Sequence, residues 1–145
     1  MTNQFWMTVP VKNVDASIEF FTKLGFTFDP KYGKSALQVG SKDIVVMLSE
    51  VSEFEDYTKG TIADTKVGTE MLFNLRADTK ADVDDWAVKV KDAGGSIYRG
   101  PEEKDGWMYG CGFADPDGHR WSMLYMDEEK MPKENDPALA ASAAK

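Results

Sequence analysis

Apolar residues recur along the chain with two different periods, and the switches between them predict its elements. Residues 3–11, NQFWMTVPV, are rich in β-branched and aromatic side chains and predict a strand, with Pro10 suited to an edge position or a strand end. The spacing then lengthens. Val14, Ile18, Phe21 and Leu24 recur at intervals of three and four, the pattern of an amphipathic helix. Asn13 is placed to cap that helix, Asp15 lies in its positively polarised first turn, and Gly25 ends it. FTFDP (26–30), SALQVG (35–40) and DIVVMLS (43–49) predict short strands with polar, glycine-containing turns between them.

A polar connection follows, with a helical stretch only around Ser52 to Tyr57. The first pattern then returns. TEMLFNLRA (69–77) predicts a strand, and Thr79 with Asp82 three residues on resembles a capping box. Val83, Trp86, Ala87 and Val90 form the apolar stripe of a second helix, closed by Gly94 and Gly95. SIYRG, GWMYGCGF and HRWSMLYM predict the strands after it.

The order is therefore β-α-β-β-β, twice. A unit of this kind cannot bury one whole face of its sheet alone, so the two halves are expected to share a core. The expectation is an α+β fold in which paired βαβββ modules build one curved eight-stranded mixed sheet, with the helices outside and a cleft within. One domain is assigned to residues 1–127: module one over 1–50, the connection over 51–67 and module two over 68–127. Residues 128–145 begin with charge, are broken by Pro132 and Pro137 and end in alanines, which predicts a loosely attached tail.

Charge changes the picture of partners. The formal net charge of −8 disfavours phosphate backbones and anionic lipid, so neither a nucleic acid nor a membrane is an expected partner, and a cationic ligand is favoured. One cysteine, Cys111, excludes an internal disulfide and a cysteine-based zinc site within one chain. With no basic leader and no long apolar span, the expected location is the cytoplasm.

Three stretches carry a resemblance: VPVKNVDASIEFFTKLGF after the first strand, DAGGSIYRGP after the second helix, and FADPDGHRWSMLYMD at the end. With them the chain resembles the vicinal oxygen chelate superfamily, the glyoxalase, bleomycin-resistance and extradiol-dioxygenase group, over residues 3 to 127. DIVVMLS, IADT and GWMYGCGFADPDGH bring it nearest to a branch of small glyoxalase-related bacterial proteins. The resemblance implies a U-shaped cleft and a homodimer. It also implies that enzymes of the group hold a divalent metal through His, Gln or Glu from the first and last strands of each module.

Carried onto this sequence, those ligand positions fall on Trp6, Glu70, Ser122 and a position at or near Val46. Indole offers a metal no lone pair, and Val46 and its neighbours Val45 and Met47 are poor ligands for a hard cation. Glu70 alone is a carboxylate, and Ser122 stands where metal-dependent relatives carry Glu. The expectation is accordingly no metal and no other cofactor, with a divalent metal as the alternative.

Asp115 to Gly118 satisfies a type I turn and marks the fold without carrying chemistry. Strand alternation from Ser122 turns the single histidine, His119, away from the cleft and gives it a structural role. Cys111 has no neighbouring base and reads as inert. The expected ligand-binding residues are Trp6, Thr8, Glu70, Leu72, Asn74, Arg120, Ser122 and Leu124, with Trp107 and Tyr109 closing the rim. They suit a small organic molecule, cationic or aromatic, held without a metal. The alternative is a lyase, isomerase or dioxygenase-type enzyme, metal-dependent or using Glu70 as general base.

Overall fold

The computed structural model describes residues 5–40, 44–133 and 137, and in it the two sequence periods become eight strands and three α-helices. Module one holds β1 (Phe5–Val11), α1 (Val14–Lys23), β2 (Thr27–Phe28), β3 (Ala36–Gln38) and β4 (Ile44–Glu50). Helix α2 (Val51–Thr58) opens the connection. Module two holds β5 (Leu72–Arg76), α3 (Lys80–Asp92), β6 (Ser96–Lys104), β7 (Met108–Ala114) and β8 (Arg120–Met126).

Local chemistry sets the helix limits. The Asn13 side chain accepts from the Ala16 N–H at 2.9 Å, and Thr79 and Asp82 form a reciprocal capping box. Gly25 and Gly94 follow the helix ends, each at φ +94°, where a side chain would be strained. Three predicted strands are shorter than the sequence suggested, and of residues 35–40 only Ala36–Gln38 is strand. Asp29 caps a 3₁₀ turn at Pro30–Tyr32, which cuts the strand over 26–30 to two residues. Residues 69–71 have no ladder partner, because Leu72 pairs with Arg120 and the chain before Arg120 is turning.

The α+β class and the repeated βαβββ order are as expected. The eight strands, however, form two four-stranded sheets, ordered β1-β4-β3-β2 and β5-β8-β7-β6, rather than one continuous ladder. In each, the first and last strands of the module run parallel at one edge. Pro10 lies in β1 and has no N–H to donate, which suits that edge.

Side chains join the modules instead. Val9 and Val11 of β1, Phe20 and Phe21 of α1, Phe73 of β5, Val90 of α3, Phe113 of β7 and Trp121 of β8 belong to one buried cluster. Trp121 is its hub. Its ring stacks on Phe73 with centroids 4.5 Å apart and meets Phe21 of the other module at 5.3 Å. Gly95 sits where α1 and α3 converge, since a Cβ there would lie 2.8 Å from both Phe20 and Val90.

Burial alternates along the inner-edge strands and defines the second face of each sheet. Val9 and Phe73 point into the core, whereas Trp6, Thr8, Leu72 and Asn74 are exposed on the face away from the helices. The tail begins with Glu128, which pairs with Arg76 of β5 at 2.7 Å. Residues 134–136 and 138–145 of that expected tail lie outside the described residues. No helix among the described residues is long and apolar enough to cross a membrane.

Candidate functional site

The turn at Asp115–Gly118 is the fixed point of the site. Gly118 N–H donates to the Asp115 carbonyl at 2.9 Å, closing the turn expected from the sequence. The Asp115 carboxylate accepts from the N–H groups of Asp117 and His119, both at 3.0 Å. Burial pushes the Asp115 carboxyl above its ordinary value, with the charge of His119 and the hydrogen bonds from His119 N–H and the Trp121 indole acting in the opposite direction.

This turn bolts the modules together. Asp117 accepts from the Lys12 N–H at 2.8 Å and from the Ser17 hydroxyl at 3.3 Å, both in module one. His119 Nε2 donates to the Pro10 carbonyl at 2.6 Å, which fixes a proton on that nitrogen. Thr65 of the connection donates to the Asp117 carbonyl at 2.6 Å. His119 thus ties the modules together, but it also lines both cavities next to the turn, so it is not turned away from the site as strand alternation suggested, and the turn does more than mark the fold.

On module two, the face away from the helices is shaped by two glycines of β7. A Cβ on Gly112 would lie 2.3 Å from the ring of Tyr98, and one on Gly110 would lie 2.4 Å from Leu124. The side chains of β6 and β8 therefore cover the bare backbone of β7. Tyr98 donates to the Trp121 carbonyl at 3.0 Å and carries the Arg120 guanidinium 4.1 Å from its ring centroid. Burial raises its phenol above the ordinary value even though Arg120 and Arg99 oppose it, so the hydroxyl stays a donor.

The four family ligand positions do not form a metal centre. Trp6 packs edge-on against Tyr32 at 4.6 Å. Glu70 is exposed and precedes β5 instead of lying in it. Ser122 is 1% exposed, lies in register between Gly112 and Asn74, and donates to the Asn74 side chain. In β4, Val46 belongs to the core cluster, so the positions on the outer face are Val45 and Met47, one residue to either side of the expected place. Among the described residues, no group of three or more His, Cys, Asp or Glu side chains could hold a metal ion.

Two cavities lie where the connection crosses the ends of β1 and β8. The larger, about 670 Å³, is bounded by the Asp115–Arg120 turn, Tyr98, Lys12 and residues 62–66. The smaller, about 370 Å³, takes in Thr8, Glu70, Phe73 and Arg120 under residues 58–71. Of the expected ligand-binding residues, the structure brings Thr8, Glu70 and Arg120 to a cavity. Trp6, Leu72, Asn74, Ser122 and Leu124 share the outer faces without lining either one.

Two rim assignments are corrected. Tyr109 lies on the helix side of β7, where its hydroxyl donates to Asp84 of α3 at 2.8 Å. Its parity is that of the buried Cys111 and Phe113, opposite to the two glycines. Trp107 sits in the β6–β7 turn, where its carbonyl accepts from the Asp127 N–H at 2.8 Å, and it borders neither cavity. Burial also raises the Cys111 thiol above its ordinary value, in keeping with the inert reading. Sequence reasoning missed Tyr98, Lys12 and Lys66. Only the small residues Gly110 and Gly112, a sign of close cross-strand approach, pointed toward Tyr98.

The chain belongs to the Glyoxalase/Bleomycin resistance protein/Dioxygenase superfamily, which matches residues 4–123. Among solved structures, a hypothetical protein from S. aureus is 27% identical, covers 86% of this chain and 94% of its own, and superposes with a TM-score of 0.74. A glyoxalase/bleomycin resistance protein/dioxygenase family enzyme from Burkholderia phytofirmans PsJN is 19% identical over 83% of this chain and 96% of its own, with a TM-score of 0.69. A glyoxalase-related enzyme from Fulvimarina pelagi is 16% identical over 86% and 88%, at 0.71. The last two show the fold alone. No curated protein matches the chain.

Proposed function

We propose that this chain is a member of the superfamily that binds a small organic molecule without a metal, at the end of the cleft where the connection crosses the sheets. The observation that carries the reading is Ser122. A neutral hydroxyl stands at the family's last-strand ligand position, it is buried, and it donates to Asn74. An oxygen committed in that way is a poor ligand for a hard divalent cation, and Trp6, Val45 and Met47 offer nothing in its place.

The cavities supply the rest. Their volumes, about 670 and 370 Å³, lie in the range of small-molecule sites. Their walls are set by hydrogen bonds that hold the turn, β1 and the connection together, so a ligand meets a preformed surface. The family resemblance adds a homodimer to the proposal and the sequence adds the cytoplasm, testable by sedimentation and fractionation.

The test is a thermal-shift screen of small aromatic and aliphatic compounds, cationic, neutral and anionic, against chelator-treated protein. Stabilisation by at least one class in the absence of metal is expected. Stabilisation that requires added Ni²⁺, Zn²⁺ or Fe²⁺ would overturn the reading.

A further inference from the structure

We infer that the larger cavity takes a small organic anion, a carboxylate on an apolar body, with Arg120 as its principal anchor. This rests on the small-molecule reading above and names the ligand class for it. It also runs against the net charge, which alone favours a cation.

Donors and acceptors around the cavity are unequally committed. Three cations line it: Lys12, Lys66 and Arg120. None of the three makes an ion pair within 4.0 Å among the described residues, although seven other Lys and Arg side chains do. Three carboxylates line it as well: Asp115 and Asp117 have their oxygens engaged inside the protein, and the exposed Asp64 has one oxygen engaged. Asp115 is 5% exposed and accepts from two backbone N–H groups. Asp117 spends one oxygen on Lys12 N–H and the other on Ser17. Asp64 accepts from Lys66 N–H at 2.9 Å. Donors are therefore in surplus and acceptors are largely used, which is the polarity an anion needs.

Arg120 is also prearranged. Its guanidinium lies on the Tyr98 ring, and Tyr98 is itself fixed by its bond to the Trp121 carbonyl and by its seat on Gly112. A guanidinium held by its face keeps the N–H fork at its edge available for two parallel bonds to a carboxylate. Lys66 stands in a turn tied to the same hub through Thr65 and Asp117. The remaining wall, including Pro10, Ile62 and Pro116, is apolar and suits a hydrocarbon body.

The experiment is calorimetric titration of the metal-free chain with benzoate, salicylate, inorganic phosphate, benzamide and benzylamine. Benzoate or salicylate should bind and benzamide and benzylamine should not. Arg120→Gln should weaken the carboxylates by about 10- to 100-fold, the value of a charge-assisted pair. Lys66→Gln, on an exposed side chain in no ion pair, should weaken them a few-fold with unchanged thermal stability, which guards against misfolding in the first variant. Phosphate binding as tight as benzoate would overturn the organic part of the inference. Benzylamine or benzamide binding that ignores Arg120→Gln would overturn the anion class and leave the small-molecule reading standing. No binding by any probe, with no hit in the wider thermal-shift screen, would overturn both.

Discussion

His119 Nε2 donates to the carbonyl oxygen of Pro10 at 2.6 Å, across 109 positions of sequence. The bond runs from the turn before β8 to the inner-edge strand of the other module, and with Asp117 it makes that turn the polar rivet of the fold. His119→Ala leaves the Pro10 carbonyl without this donor in a half-buried place. We expect a loss of about 1–2 kcal/mol in chemical denaturation, partly recovered by His119→Gln, whose amide can donate. Equal stability of wild type and His119→Ala would remove the rivet from the account.

The buried carboxyl of Asp115 makes stability depend on pH with a definite sign. Its folded value lies above the ordinary 3.8, so within that window the folded chain keeps a proton that the unfolded chain has released. Its favourable contribution is full below 3.8 and is lost as pH rises through the raised folded value. Asp115→Asn keeps an acceptor for the Asp117 and His119 N–H groups and cannot ionise. Melting temperatures of the two proteins should therefore diverge in favour of the variant as pH rises above the ordinary value of 3.8. A difference that is flat, or that moves toward wild type, would contradict the assignment.

Gly112 is required because Tyr98 occupies the space its Cβ would take, at 2.3 Å. Gly112→Ala should cost about 1–3 kcal/mol, the usual range for overpacking. In a Tyr98→Ala background the same change should cost markedly less. A double-mutant cycle checks this, and additive losses would show that the two residues do not share that space.

Trp121 touches both modules, with Phe73 on one side and Phe21 on the other. Trp121→Ala should remove about 3–5 kcal/mol. The wild-type unfolding transition should be single, reported alike by fluorescence and circular dichroism. Two separated wild-type transitions would mean that the modules fold independently.

Much of this architecture was legible from side-chain periodicity. The strand-to-helix switch at Asn13, the Thr79–Asp82 cap and the type I turn are local chemistry, and they appear at the residues where the sequence put them. Parity also placed Trp121 in the core and Trp6 on the open face. What failed depended on register between distant strands. Gly110 and Gly112 carry no side chains, so the outer face of β7 leaves no mark in the sequence, and Tyr109 does not show there that it shares the inner face of Cys111 and Phe113. Glu70 reads as strand by composition, yet the opposite chain is already turning there. The cluster of Tyr98, Arg120, Lys12 and Lys66 comes from four separated segments. Its assembly follows from two irregularities in the β6–β7 pairing and from the bonds of the turn, neither of which leaves a periodic trace.

The proposed site holds its ligand without the divalent metal that enzymes of the family carry. The decisive measurement is elemental analysis of protein purified without chelator, repeated after dialysis against equimolar Zn²⁺ and Ni²⁺. The account predicts well below one metal per chain and a melting temperature that chelation does not change. One tightly held metal per chain, whose removal lowers the melting temperature, would contradict it.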